Sequence, residues 1–120
     1  MRVGNFREEH PRLTLTLPMK RGELDIEFIV DTGFAGDLTL PFHLAVQLAG
    51  SEGGPRDRQL ATGQQFQFPS YEILLDWNDD LRPTEVLVLE GEPLLGTVLI
   101  REYLLQSEMT EGGTVSIEPL

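Results

Sequence analysis

The strongest structural signal in this chain is the stretch LDIEFIVDTG, residues 24–33. It begins with alternating apolar and polar side chains and ends as a continuous apolar run, which predicts a strand that passes from a half-buried edge into a core. Asp31 follows this strand directly, at the mouth of the core. Gly33 can adopt backbone angles closed to other residues, so a neighbouring N–H can approach the carboxylate. The stretch predicts an active aspartate, and an ordinary turn is the alternative meaning of Asp-Thr-Gly.

A second motif lies well downstream, where Pro93-Leu94-Leu95-Gly96 combines an apolar pair with a glycine. The segment after it, Thr97–Leu104, has apolar residues at near-helical spacing. With these motifs the chain resembles the retropepsin-like aspartic proteases, in particular the small single-domain members found in microbes. Their signature is an apolar strand that ends in Asp-Thr-Gly and a later apolar-apolar-Gly before a short helix. The resemblance extends from about Leu13 to Pro119 and implies an all-β, closed acid-protease barrel with one or two short helices.

The resemblance also implies an activity, the hydrolysis of peptide bonds in an extended polypeptide substrate. Asp31 would be the catalytic residue. The aspartic mechanism needs two carboxylates and the chain has one Asp-Thr-Gly, so the enzyme would be a homodimer in which two Asp31 side chains activate a water between them. The residues that would support the catalytic loop are Thr32, Gly33, Leu94, Leu95 and Gly96. The residues that would form a flap over the substrate are Leu60, Ala61, Thr62, Gly63 and Gln64.

The chain departs from the retroviral members in a paired way. Those usually have a carboxylate two residues after the catalytic glycine and an arginine after the second glycine, whereas this chain has Ala35 and Thr97. Loss of both avoids a buried charge without its partner. A fold can persist after activity is lost, so the alternative function is a non-catalytic peptide-binding or assembly domain.

Size and composition limit the other possibilities. A chain of 120 residues with 40% apolar content predicts one domain, residues 1–120. The formal net charge of -11 argues against nucleic acids and anionic membranes as partners. The absence of cysteine is compatible with a reducing cytoplasm, and no apolar run is long enough for a signal peptide or a membrane span, so we expect a cytoplasmic protein. The acidic segment 76–80 lacks the later residues of a calcium loop, and His10 and His43 are far apart in sequence, so we expect neither a metal nor another cofactor.

The pattern along the chain predicts about eight strands. Leu13–Leu17 forms a hairpin with the strand that ends at Asp31, and Arg56–Phe68 forms a second, longer hairpin. A helix is predicted over Phe42–Ala49, with Gly50 as its end, and a shorter one after Gly96. The remaining predicted strands are Leu38–Leu40, Tyr71–Trp77, Thr84–Glu90, Leu105–Met109 and Thr114–Ile117.

Overall fold

The computed structural model of the chain describes residues 1–59 and 62–120. Nearly all regular structure in these residues is β-strand. The strands and the helix, in chain order, are β1 (Arg2–Arg7), β2 (His10–Met19), β3 (Gly22–Val30), β4 (Leu38–Leu40), α1 (Phe42–Ala45), β5 (Gly50–Glu52), β6 (Arg56–Gln59), β7 (Gln65–Phe68), β8 (Ser70–Trp77), β9 (Asp80–Val88), β10 (Leu94–Leu95), β11 (Tyr103–Ser107) and β12 (Thr114–Pro119).

Ten of these strands form one sheet in the order β11-β12-β1-β2-β3-β10-β4-β9-β8-β5. Its long hairpins are β2–β3 and β8–β9, and the second turns at Asn78 and Asp79, which both have positive φ. Strands β6 and β7 form a separate two-stranded sheet. Two predicted hairpins are therefore confirmed: that of Leu13–Leu17 with the strand that ends at Asp31, and that of Arg56–Phe68.

The core follows from the alternation of side chains along the long strands. Leu13, Leu15 and Leu17 of β2 are buried, while Thr14 and Thr16 between them are exposed. Phe28 of β3 faces the same core. Alternation places every second side chain on one face, so one face of the hairpin is dry and the other is solvated. The radius of gyration, 14.1 Å, is close to the value of about 13.6 Å expected for a single compact body of this length.

The strand order does not establish the predicted closure of the sheet into a barrel. Strands β11 and β5 stand at the two ends of the ten-strand order. Among residues 1–59 and 62–120, no strand pairing joins these ends. The all-β class is confirmed, and the closed retropepsin-like barrel stays a prediction.

The helix predicted over Phe42–Ala49 is wrong in its second half. Helix α1 ends at Ala45 because the chain after it turns back onto the β2–β3 hairpin. Leu48 forms a bridge with Met19, and Ala49 N–H donates to the Pro18 carbonyl at 3.0 Å. Gly50 begins strand β5 and does not terminate a helix. Contact with the β2–β3 hairpin outweighs the helical spacing of the apolar side chains.

The helix predicted after Gly96 is also wrong. Residues 97–102 form turns, and Glu102 has a φ of 69°, which ends any right-handed helix there. The Arg82 guanidinium donates to the carbonyls of Val98 and Leu99, at 3.0 and 2.9 Å. A helix would need these carbonyls for its own N–H groups.

Other strands also differ from the prediction. Strand β9 begins at Asp80 and not at Thr84, and strand β5 occupies part of the predicted loop after Gly50. Strand β1 was missed, because its partner β12 is at the other end of the chain. No helix in the described part of the chain is long and apolar enough to cross a membrane.

Candidate active site

Asp31 stands where the buried strand β3 ends. Ile29 and Val30 before it are buried, Asp31 itself is half-buried, and Thr32 and Gly33 are exposed. The Gly33 N–H donates to Asp31 Oδ1 at 2.8 Å, and the Phe34 N–H donates to the Asp31 carbonyl at 3.1 Å. The turn therefore fixes one carboxylate oxygen and leaves Oδ2 without a hydrogen bond to the described residues.

The downstream motif packs directly against this turn. Strand β10, which is Leu94–Leu95, lies between β3 and β4, parallel to the first and antiparallel to the second. The Asp31 N–H donates to the Leu95 carbonyl at 2.9 Å, and the Leu94 N–H donates to Thr39 Oγ1 at 3.0 Å. The structure thus brings together the two motifs that the sequence places far apart.

Gly96 is required by this packing. A Cβ at this position would lie 2.3 Å from the Gly36 carbonyl oxygen and 2.6 Å from that of Phe34. The Gly96 N–H donates to the Asp37 carbonyl, and the Thr97 N–H to the Phe34 carbonyl, both at 2.9 Å. Only a residue without a side chain allows the two backbone segments to approach so closely.

A cleft of about 740 Å³ opens beside Asp31. Its lining residues are His10, Pro11, Ile29, Val30, Asp31, Thr32, Leu89, Glu90, Gly91, Glu92, Leu94, Leu105, Ser107 and Met109. Most of them are apolar, and the charged ones are carboxylates; neither Lys nor Arg is among them. A cleft of this size, with a mostly apolar wall and a few convergent polar groups, is typical of a binding site.

Thr32 also lines the cleft. Its side chain is exposed, and within residues 1–59 and 62–120 its hydroxyl makes no hydrogen bond. The predicted supporting residues therefore divide into two groups. Gly33, Leu94, Leu95 and Gly96 are held by the chain's own backbone, whereas Thr32 is presented outward.

The predicted flap residues that the structure describes do not line this cleft. Thr62, Gly63 and Gln64 are exposed near the tip of the β6–β7 hairpin, and none of them lines it. Leu60 and Ala61, which were also predicted as flap, lie outside the described residues. The hairpin is tied to β9 by side chains: Arg56 Nε donates to Glu85 Oε2 at 3.1 Å, and Arg58 also pairs with Glu85.

Sequence reasoning missed an ion pair next to the Asp31 turn. Asp37 is buried and accepts the Glu85 N–H at 3.0 Å, and its other oxygen lies 3.6 Å from the Arg82 guanidinium. Arg82 in turn holds the turn that follows Gly96. The sequence does contain a signal for this pair. Asp37 stands in a run of otherwise uncharged, buried residues, and a buried carboxylate requires a partner. The identity of that partner, on a strand far away in sequence, was not readable.

A second missed network supports the rim of the cleft. The Arg12 side chain is 6% exposed and lies 3.0 Å from Glu92, which lines the cleft, and 3.6 Å from Glu27. Glu27 also accepts two hydrogen bonds from Arg7. These bonds hold the pKa of Glu27 below its ordinary value, and the same contact raises the pKa of Arg7.

In the described part of the chain, no group of three or more His, Cys, Asp or Glu residues is placed to hold a metal ion. The chemistry that the site can offer is that of a half-buried carboxylate in an apolar cleft. Comparisons of the chain with protein-family models, with curated proteins and with solved structures found no match.

Proposed function

We propose that the protein is an aspartic endopeptidase that acts as a homodimer. The observation that carries the proposal is the position of Asp31, at the end of a buried strand, with Oδ1 held by the Gly33 N–H and the carboxylate at the wall of a mostly apolar cleft. The interlock of this turn with Leu94-Leu95-Gly96 supports a retropepsin-like barrel as the fold, because it joins the two motifs on which the resemblance depends.

The mechanism uses one Asp31 from each of two chains. Two carboxylates close together cannot both ionise, so the pair retains one proton over an intermediate pH range. The ionised member takes a proton from a water molecule as its oxygen attacks the peptide carbonyl carbon. The protonated member then gives its proton to the departing amide nitrogen, and the C–N bond breaks.

The turn prepares Asp31 for this pairing. The hydrogen bond from Gly33 orients the carboxylate, and it leaves Oδ2 to face the second chain and the water. The outward hydroxyl of Thr32 is placed to bond across a twofold axis, where a residue meets its own equivalent. Catalysis therefore depends on an aspartate held by its own chain and completed by another.

The test is cleavage of an unstructured polypeptide by the wild-type protein, Asp31→Asn and Asp25→Asn. Asp25 is the matched control, because it lies on the same strand but is exposed and bonds to Thr16. We expect Asp31→Asn to lower kcat by at least about 1000-fold with an unchanged unfolding midpoint, and Asp25→Asn to retain activity. We also expect activity per chain to fall on dilution. A fully active Asp31→Asn variant would end the proposal.

A non-catalytic peptide-binding domain is the second candidate. It is supported by strand β11, which ends the strand order and contributes Leu105 and Ser107 to the cleft wall. An extended peptide can add to such an edge through main-chain hydrogen bonds. This candidate predicts that the peptide binds and stays intact from acid to neutral pH, and that Asp31→Asn changes its affinity only slightly.

A further inference from the structure

Strand β11 has one edge without a partner in the described residues. It pairs with β12 on one side and stands at the end of the ten-strand order. Natural edge strands are usually protected by proline, lysine or a bulge. Tyr103–Ser107 contains neither proline nor lysine, and its pairing with β12 runs without a bulge.

Two hydrogen bonds, one beyond each end of β11, show which of its backbone N–H and C=O groups point towards β12. Glu108 N–H donates to the Thr114 carbonyl, and Leu120 N–H donates to the Glu102 carbonyl. Hydrogen-bonded pairs alternate along an antiparallel ladder, so Leu104 and Gln106 also bond to β12. The N–H and C=O groups of Leu105 and Ser107 therefore point to the open edge.

These two residues also line the Asp31 cleft. The open edge thus runs along the wall of the candidate active site. Among the described residues, the buried hydroxyl of Ser107 has no hydrogen-bond partner. One side of the cleft therefore offers unpaired backbone groups together with the apolar side chains of Leu105 and Met109.

The charges around this edge are mostly negative, and the carboxylate of Glu92 is paired with Arg12 at 3.0 Å. The acidic residues of the cleft wall are Asp31, Glu90 and Glu92, and no Lys or Arg is part of it. The segment 102–120 contains Glu102, Glu108, Glu111 and Glu118 but neither Lys nor Arg. Such a surface attracts a cationic partner and repels an anionic one.

We propose that the open edge of β11 binds the substrate by strand addition, and that the substrate is an extended polypeptide with alternating apolar and basic residues. The apolar side chains enter the cleft and the Lys or Arg side chains face the carboxylates at its rim, while main-chain bonds to Leu105 and Ser107 fix the register. The proposal rests on the proposed function, since it names the substrate of that same site.

A second copy of the chain is a poorer occupant of this edge. Symmetric antiparallel pairing of two β11 strands about Leu105 would place Glu102 of one chain opposite Glu108 of the other. Like charges in that position are destabilising, and each chain has a formal net charge of -11. The basic peptide meets no such repulsion.

The experiment measures binding to the 120-residue chain with Asp31→Asn, which leaves the peptide intact. The probe is a peptide of about ten residues that alternates Lys with Leu, and the control replaces each Lys by Glu. Two further Lys peptides have N-methyl groups at the odd or at the even positions. We expect the Glu peptide and one of the two N-methylated peptides to bind at least about tenfold more weakly, because only one set of N–H groups faces β11.

Hydrogen exchange locates the contact. On binding of the Lys peptide, the amides of Leu105 and Ser107 are expected to exchange at least about tenfold more slowly, while those of Leu104 and Gln106 change less. Ser107→Pro removes one edge N–H and is expected to weaken binding about three- to tenfold. Glu52→Pro, on edge strand β5 at the other end of the order, is the matched control and is expected to bind normally.

Three results would overturn the proposal: equal binding of the Lys and Glu peptides, equal binding of the two N-methylated peptides, or protection of Leu105 and Ser107 that grows with protein concentration in the absence of peptide. None of them affects the proposed function, which fails only if the wild-type chain does not cleave polypeptide or if Asp31→Asn cleaves it as well.

Discussion

The Asp31 turn and the β6–β7 hairpin are held in place by different forces. The turn is locked to β10 and Gly96 by buried backbone hydrogen bonds and by a close approach that excludes a side chain. The hairpin forms its own two-stranded sheet and is tied to β9 by Arg56 and Arg58, whose common partner Glu85 is 27% exposed. Loss of buried backbone bonds is costly, whereas partly exposed ion pairs contribute at most about 1 kcal/mol. The Asp31 turn is therefore held more strongly than the β6–β7 hairpin.

The largest effect is expected from Gly96→Ala. The added Cβ collides with two carbonyl oxygens that cannot move without opening the Asp31 turn, so we expect a loss of about 3 kcal/mol in the free energy of unfolding. Gly63→Ala in the hairpin is the matched substitution. It meets only the strain of a positive φ and should cost about 1 kcal/mol. Urea unfolding measures both, and equal losses would contradict the contrast between the regions.

The next effect concerns Arg82, which connects the Asp31 loop to the turn after Gly96. Arg82→Met leaves the buried Asp37 carboxylate without its counter-charge, and because the Arg82 side chain is itself 32% exposed we expect a loss of about 2 kcal/mol. Asp37→Asn combined with Arg82→Met should be less harmful than the sum of the two single changes. Additive losses in a double-mutant cycle by urea unfolding would show that the pair is not coupled.

A smaller effect is expected at the hairpin. Glu85→Gln removes the common partner of Arg56 and Arg58 and should cost at most about 1 kcal/mol of global stability. Hydrogen exchange in β6 and β7 should accelerate about threefold or more, with no change at Asp31. Glu23→Gln, at an exposed position of β3, is the control and should change neither. Unchanged exchange in the hairpin would show that the ion pairs do not hold it.

The smallest effect is a pH dependence at Glu27, on the strand that leads to Asp31. Arg7 lowers the pKa of Glu27 from its ordinary value of 4.5, so the stabilisation is complete above that value and is lost as the pH falls through the lowered pKa. Because both side chains are more than a third exposed, we expect Glu27→Gln to cost about 0.5 kcal/mol at pH 7 and less at an acid pH well below 4.5. Urea unfolding at the two pH values measures this, and a cost that is unchanged in acid would refute it.

The sequence was sufficient for the parts of the fold that local patterns decide. The strand up to Val30 and the hairpins follow from alternation and turn residues. The resemblance implied that Leu94-Leu95-Gly96 supports the Asp31 loop, but the sequence did not predict a strand between β3 and β4. The sequence analysis predicted more helical residues than the structure contains, and the reason is physical. Near-helical spacing at Phe42–Ala49 and after Gly96 is local, whereas the bridge from Leu48 to Met19 and the Arg82 bonds to Val98 and Leu99 come from elsewhere in the chain.

Contacts between distant residues explain the rest of what was missed in the site. Asp37, Arg82, Glu85 and Arg12 were not predicted, because each acquires its role from a partner that only the folded topology brings near. The position of β11 at the end of the sheet was not predicted, for a related reason. Which strand ends a sheet depends on the order of all the strands, and no single segment encodes that order.

The insertion of β10 between β3 and β4 sets the time at which the Asp31 turn can be completed during synthesis. Asp31 belongs to the first third of the chain, but its N–H acquires its acceptor only when Leu95 arrives. In a ribosome-bound chain whose residues 94–96 are still inside the ribosome, Asp31 therefore lacks this backbone hydrogen bond. Such long-range closure is slow relative to hairpin formation, so the Asp31 turn is completed late in folding, after the β2–β3 hairpin.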